Sequence, residues 1–116
     1  MEDLVREGLV RNIGVSNYNC SLLTELVRYA KIPPAVLQVE RHPYLVQPRL
    51  VAHAKANGMQ ITGYSSFGVQ SYLQLGASSP EGAVDLLQHP LVAELSQQHG
   101  KTPGCLILLP RRVGGR

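Results

Sequence analysis

A chain of 116 residues can hold one domain with a modest core, and 44% hydrophobic against 16% charged residues excludes a disordered segment. The net charge of +3 is supplied by Arg111, Arg112 and Arg116 at the extreme end; the remaining eight Lys or Arg balance eight Asp or Glu, which excludes the clustered basic face of a nucleic-acid binder. No apolar run nears the ~20 residues of a membrane span, Met1-Glu2-Asp3 does not open a signal peptide, and the isolated thiols of Cys20 and Cys105 point to a reducing, cytoplasmic setting without a disulfide framework.

Leu4 and Val5 among charged neighbours, stopped by Gly8, read as the last turns of a helix. Leu9 to Val15 reads as a short apolar strand that ends at Ser16-Asn17. Asn19 is placed to cap a helix running to about Ala30, with Leu22, Leu23, Leu26, Val27 and Ala30 on one face. Pro33-Pro34 closes that segment, and Ala35 to Glu40 is the next strand. Pro48 suits a first helical turn. Leu50, Val51 and Ala54 face inward from that helix, and Gly58 stops it. Met59 to Tyr64 forms a third strand. Residues 68–88, rich in Gly, Ser, Pro and Gln, read as a long loop. Pro90 to about His99 is helical, with Leu91, Val92 and Leu95 on one side, and Thr102-Pro103 reads as the cap and first turn of one more helix.

Strand and helix therefore alternate. The strand ends fall at Asn17, Glu40 and Tyr64, separated by 23 and 24 residues. That spacing argues for parallel βα units. Periodicity leaves two architectures open, an open doubly wound sheet and a slice of a (βα)8 barrel.

In both architectures ligands meet the chain beyond the carboxyl ends of the strands. A carboxamide-bearing ligand needs a donor and an acceptor on stiff elements. Asn17 and Gln38 offer both, and Ser16 adds a hydroxyl. A flat ring wants an aromatic face, which Tyr64 supplies. A diphosphate wants backbone N–H groups in a turn with hydroxyls close by, and Ser65, Ser66 and Gly68 suit that. Together they suit a nicotinamide dinucleotide without any G-x-G-x-x-G motif. Read without such a ligand, Ser16-Asn17 is a helix cap, Gln38 a buried amide and Tyr64 an edge aromatic. His42, His53, His89 and His99 have no metal spacing, Glu40 and Asp85 form no evident carboxylate pair, and Arg111-Arg112 read as a frayed tail.

The segments EGLVRNIGVSNYN, PAVLQVERHPYLVQPRL and ITGYSSFGVQS resemble consecutive signature segments of the aldo-keto reductases, and most of all the fungal xylose and aldose reductase branch. The resemblance covers roughly residues 1–103. It implies an α/β fold, a partial (βα)8 TIM barrel at about strands five to seven, and an oxidoreductase family that reduces aldehydes and ketones with NADPH or NADH. Carried over by motif, it implies that Ser16 and Asn17 hold the nicotinamide carboxamide, with Gln38 as a further partner. Tyr64 matches the ring stacked on the nicotinamide. Ser65, Ser66, Phe67, Gly68 and Gln70 match the loop over the diphosphate. Val69 stands where that branch commonly has proline, and Tyr18 where it commonly has Phe.

The family's acid catalysis uses a Tyr tuned by Lys and Asp, with a His orienting the carbonyl. The resemblance places all four in the first half of the barrel, outside the matching segments, so no catalytic residue is assigned here. Tyr44 and Tyr72 are candidate acids by residue type alone. The grip on an adenosine 2′-phosphate is implied beyond residue 103. Gly104 to Arg116, with Pro110 breaking any helix, reads as an unrelated disordered tail. A full barrel takes about 250 residues. The expectation is thus a truncated reductase, inactive alone, whose parent family acts on a small carbonyl or aldose substrate. The alternatives are a non-catalytic nucleotide-binding module that self-associates through open strand edges, and a gene remnant without function.

Overall fold

The computed structural model describes residues 1–68 and 84–108. These fall into two compact units, one of Met1–Arg41 with Leu45–Tyr64, the other of His42–Tyr44 with the chain from Ser65 onward.

The first unit begins with a single helical turn, α1 (Glu2–Arg6). Its Arg6 pairs with Asp3 at 2.7 Å and Glu2 at 3.1 Å, but these contacts are exposed and stabilise little. The stronger tie is long-range. Glu2 Oε1 accepts the backbone N–H groups of Lys31 at 2.8 Å and Ile32 at 3.1 Å, pinning α1 to the far end of the next helix. The strand expected from Leu9 is shorter than its apolar run. Leu9 and Val10 both donate their N–H to the Leu4 carbonyl, so the chain folds back over α1 and leaves Leu9 exposed. Pairing starts only at β1 (Gly14–Ser16).

Helix α2 (Cys20–Tyr29) opens as the sequence indicates, with Asn19 Oδ1 accepting the Leu22 N–H at 2.9 Å. Of its apolar face only Leu23 is fully buried, and Leu22 is exposed. Strand β2 (Val36–Glu40) follows, then α3 (Pro48–Ala56) with Pro48 in its first turn. Gly58, at φ +78°, ends α3 in a Schellman motif. Its N–H donates to Lys55 O, and the Met59 N–H donates to Ala54 O, both at 3.0 Å. Strand β3 (Gln60–Tyr64) completes the unit.

The sheet order is β1-β2-β3, all parallel. Val15, Leu37 and Ile61 stand side by side, as do Ser16, Gln38 and Thr62 one residue on. Successive side chains point to opposite faces. The Val15-Leu37-Ile61 row joins the core, which is built from Leu23, Leu37, Val39, Ala54 and Met59 with Tyr18, Val27 and Leu50 against it. Burying each large apolar side chain there contributes about 1.5–3 kcal/mol. The Ser16-Gln38-Thr62 row is exposed. Continuous apolar strands are the mark of a parallel sheet covered on both faces. Here VLQVE and QITGY alternate instead, and the second face is polar.

In the second unit, a 3-10 turn (Leu86–Gln88) leads into α4 (Pro90–His99), which Gly100 ends at φ +58°. Leu91, expected on the inner side of α4, is exposed, whereas Ser96 is buried. Helix α5 (Pro103–Leu108) is capped by Thr102, whose Oγ1 accepts the Cys105 N–H at 3.2 Å. It crosses the boundary expected at residue 104, so the start of the expected tail is helical through Leu108; residues 109–116 lie outside the described residues. Most of the expected loop, residues 69–83, lies outside them too.

Candidate functional site

Three of the sequence-selected residues lie at or near the carboxyl ends of the three strands, and one just past an end. Ser16 is the last residue of β1, Gln38 is its direct partner in β2, and Tyr64 is the last residue of β3. Asn17 follows β1 immediately. Ser16, Asn17 and Gln38 are exposed, and Tyr64 is half-buried.

Asn17 is held from two directions. Its backbone N–H donates to the Gln38 carbonyl at 2.9 Å, extending the ladder one residue past β1. Its side-chain Oδ1 accepts the Tyr64 hydroxyl at 2.8 Å, a bond that joins the end of β1 to the end of β3 across β2. Asn17 adopts φ +59°, the left-handed region that an L side chain enters at a cost and that Asn tolerates better than most. Ser16 and Gln38 thus stand in one row, with the Asn17–Tyr64 pair at its upper rim.

Sequence reasoning did not select Thr62. It is the register partner of Gln38 on the same exposed face, so the row reads Ser16-Gln38-Thr62. The signal was present in the alternation Gln60, Thr62, Tyr64. Nor was the Asn17–Tyr64 bond foreseeable, because its partners lie 47 residues apart.

In the second unit, Ser65 to Gly68 make a tight turn, with the Gly68 N–H donating to Ser65 O at 2.8 Å. Ser65 is left-handed at φ +49° and Gly68 at φ +66°. A Cβ on Gly68 would be strained at that φ and would stand 3.1 Å from Leu86 Cδ1 and 3.4 Å from His42 Nδ1, so both side chains would have to give slightly. Ser65, Ser66 and Phe67 are half-buried. Gln70, selected with them, lies outside the described residues.

The donor set suits a carboxamide in unit one. It offers two side-chain amides and two hydroxyls on paired strands, beside a phenol ring. No three of His, Cys, Asp and Glu gather to hold a metal among the described residues. Of the candidate acids, Tyr44 donates its hydroxyl to the Val84 carbonyl at 3.2 Å, and Tyr72 lies outside the described residues.

Residues 1–103 match the model of the aldo/keto reductase family. A protein of Emericella nidulans described as a probable NAD(P)H-dependent D-xylose reductase is 50% identical over 108 residues, which are 93% of this chain and 34% of that protein. Among solved structures, an aldo-keto reductase from a Medee basin deep-sea metagenome superposes with a TM-score of 0.77 at 34% identity, covering 91% of this chain and 35% of its own. The Bombyx mori aldo-keto reductase in complex with NADP superposes at 0.76 and 35% identity, covering 93% and 34%. The chain therefore spans about a third of the length of the relatives it matches.

Proposed function

The chain belongs to the aldo/keto reductase family, and its three parallel strands are part of that family's (βα)8 barrel; from that premise we propose that it carries the nicotinamide-facing corner of an NAD(P)H site used to reduce a small aldose or other carbonyl compound. The observation that carries this reading is the grouping of Ser16, Asn17, Gln38 and Tyr64 at or near the carboxyl ends of three parallel strands, with Asn17 and Tyr64 joined by a hydrogen bond. The 50% identity to a D-xylose reductase supports the substrate class.

In this reading Ser16, Asn17 and Gln38 would hold the carboxamide, and the Tyr64 ring would offer the nicotinamide an aromatic face. Taken by itself, the turn Ser65–Gly68 offers hydroxyls and N–H groups of the kind a diphosphate takes. The bound dinucleotide supplies the hydride that turns carbonyl into alcohol. The residues of this chain bind and orient it. In this reading the proton would come from a general acid that the family resemblance puts outside the matching segments; among the described residues the candidate Tyr44 is engaged with a backbone carbonyl. The chain alone therefore binds without turnover.

The chain contains no Trp, so NADPH emission can be followed with little protein background. Saturable enhancement is expected, weakened about fivefold or more in Gln38→Ala, in proportion to a lost hydrogen bond. Identical titrations for the two proteins would refute the assignment.

A second reading is favoured by the sheet itself. Among the described residues β1 and β3 each pair on one side only, and open edges recruit strands. In this reading the chain pairs with another barrel segment or with its own copy. A concentration-dependent dimer in gel filtration supports it, and a monomer at all concentrations rejects self-pairing.

A further inference from the structure

We propose that the Tyr64 hydroxyl is a positioning group that makes Asn17 present its amide nitrogen, and not its oxygen, to a bound ligand. The inference rests on the reading of this corner as a carboxamide site and adds a polarity to it. A primary amide carries its acceptor and its donors at opposite ends of a rigid plane. Tyr64 donates to Oδ1 at 2.8 Å, so the Nδ2 end is turned away from Tyr64. The backbone of Asn17, left-handed at φ +59°, is held by its N–H bond to Gln38 O at 2.9 Å, so the side chain starts from a fixed point and the Tyr64 bond sets which end of its amide faces out.

Asn17 is then a donor toward the ligand. The group facing it must be an oxygen, and the ligand's own NH2 turns toward another acceptor. The corner thereby distinguishes the two ends of a carboxamide. Because the amide is fixed before the ligand arrives, little ordering is left for the binding step.

Two measurements on the 116-residue chain test this, one of them without ligand. In side-chain 15N relaxation of the free protein, the Asn17 amide is expected to be ordered and to become mobile in Tyr64→Phe, which keeps the ring and removes the hydroxyl. An Asn17 amide equally ordered in both proteins overturns the positioning role, whether or not any dinucleotide binds. In titrations, NADPH is compared with its 3-acetylpyridine analogue, which keeps the carbonyl oxygen and replaces NH2 by CH3, and with ADP-ribose, which lacks the ring. Asn17→Asp keeps an acceptor for Tyr64 and removes the donor. It is expected to weaken NADPH and the analogue alike, by about fivefold, and to leave ADP-ribose unchanged. NADPH binding left as tight as in the unaltered chain, or tightened relative to the analogue, would show that Asn17 accepts from the ligand NH2 and would overturn the proposal. Failure of the unaltered chain to bind any of the three would refute the functional reading, leaving the relaxation result to decide the positioning role.

Discussion

Asn17 and Ser65 are two of the three described non-glycine residues with positive φ, and both were selected from the sequence for their side chains. Residue type was legible there because a carboxamide or a diphosphate demands particular donors and acceptors. The backbone strain and the Tyr64 contact were not, since both depend on strands brought together by folding. Glu2 shows the same limit. It reads as one more exposed acid, yet it accepts two N–H groups from residues 31 and 32. The Ile32 N–H, with help from Lys31 and Arg6, holds its carboxyl below the ordinary value of 4.5 against an opposing desolvation. A carboxyl lowered by folding stabilises the protein above its ordinary value, and that contribution is lost as pH falls through the lowered one. Thermal melts between about pH 3 and pH 6 are therefore expected to show Glu2→Gln less stable than the unaltered chain at the upper end, with the two converging in acid. A constant offset across the range would mean that the Glu2 charge is not what ties α1 to residues 31 and 32.

Elements were most legible where capping chemistry is local. Asn19, Pro48, Gly58 and Pro90 mark helix ends within a residue or two of where they fall. The first strand was less so. Its expected run spans seven residues from Leu9 to Val15, but Leu9 and Val10 bond back to Leu4, and pairing is confined to the three residues Gly14–Ser16. Those three stand close to β2. A Cβ on Gly14 would lie 2.7 Å from the Val36 carbonyl oxygen and 3.1 Å from Val36 Cβ. Because the obstacle is backbone, β1 would have to move away from β2. Gly14→Ala is expected to cost about 1–3 kcal/mol, the range for overpacking, seen as a lower urea midpoint at unchanged slope. It should also weaken dinucleotide binding, because Ser16 and Gln38 share that ladder. An alanine variant as stable as the parent would show that β1 yields freely.

At the scale of the molecule, alternation in VLQVE and QITGY separates an apolar sheet face that packs on α2 and α3 from a polar face that carries Ser16, Gln38, Thr62 and Tyr64. The pattern of strands and helices left two α/β architectures open; the three quoted motifs pointed to the barrel, and the structural likeness at 34–35% identity bears that out. The motifs also picked out residues on the polar side of the sheet, though not Thr62, which joins them only through its register with Gln38. The account depends most on the carboxamide corner acting as one site. An NMR titration of the chain with NADPH, following the side-chain amides of Asn17 and Gln38, tests this directly. Both are expected to shift along a single saturable curve. Amides that stay in place while NADPH perturbs residues elsewhere would contradict it.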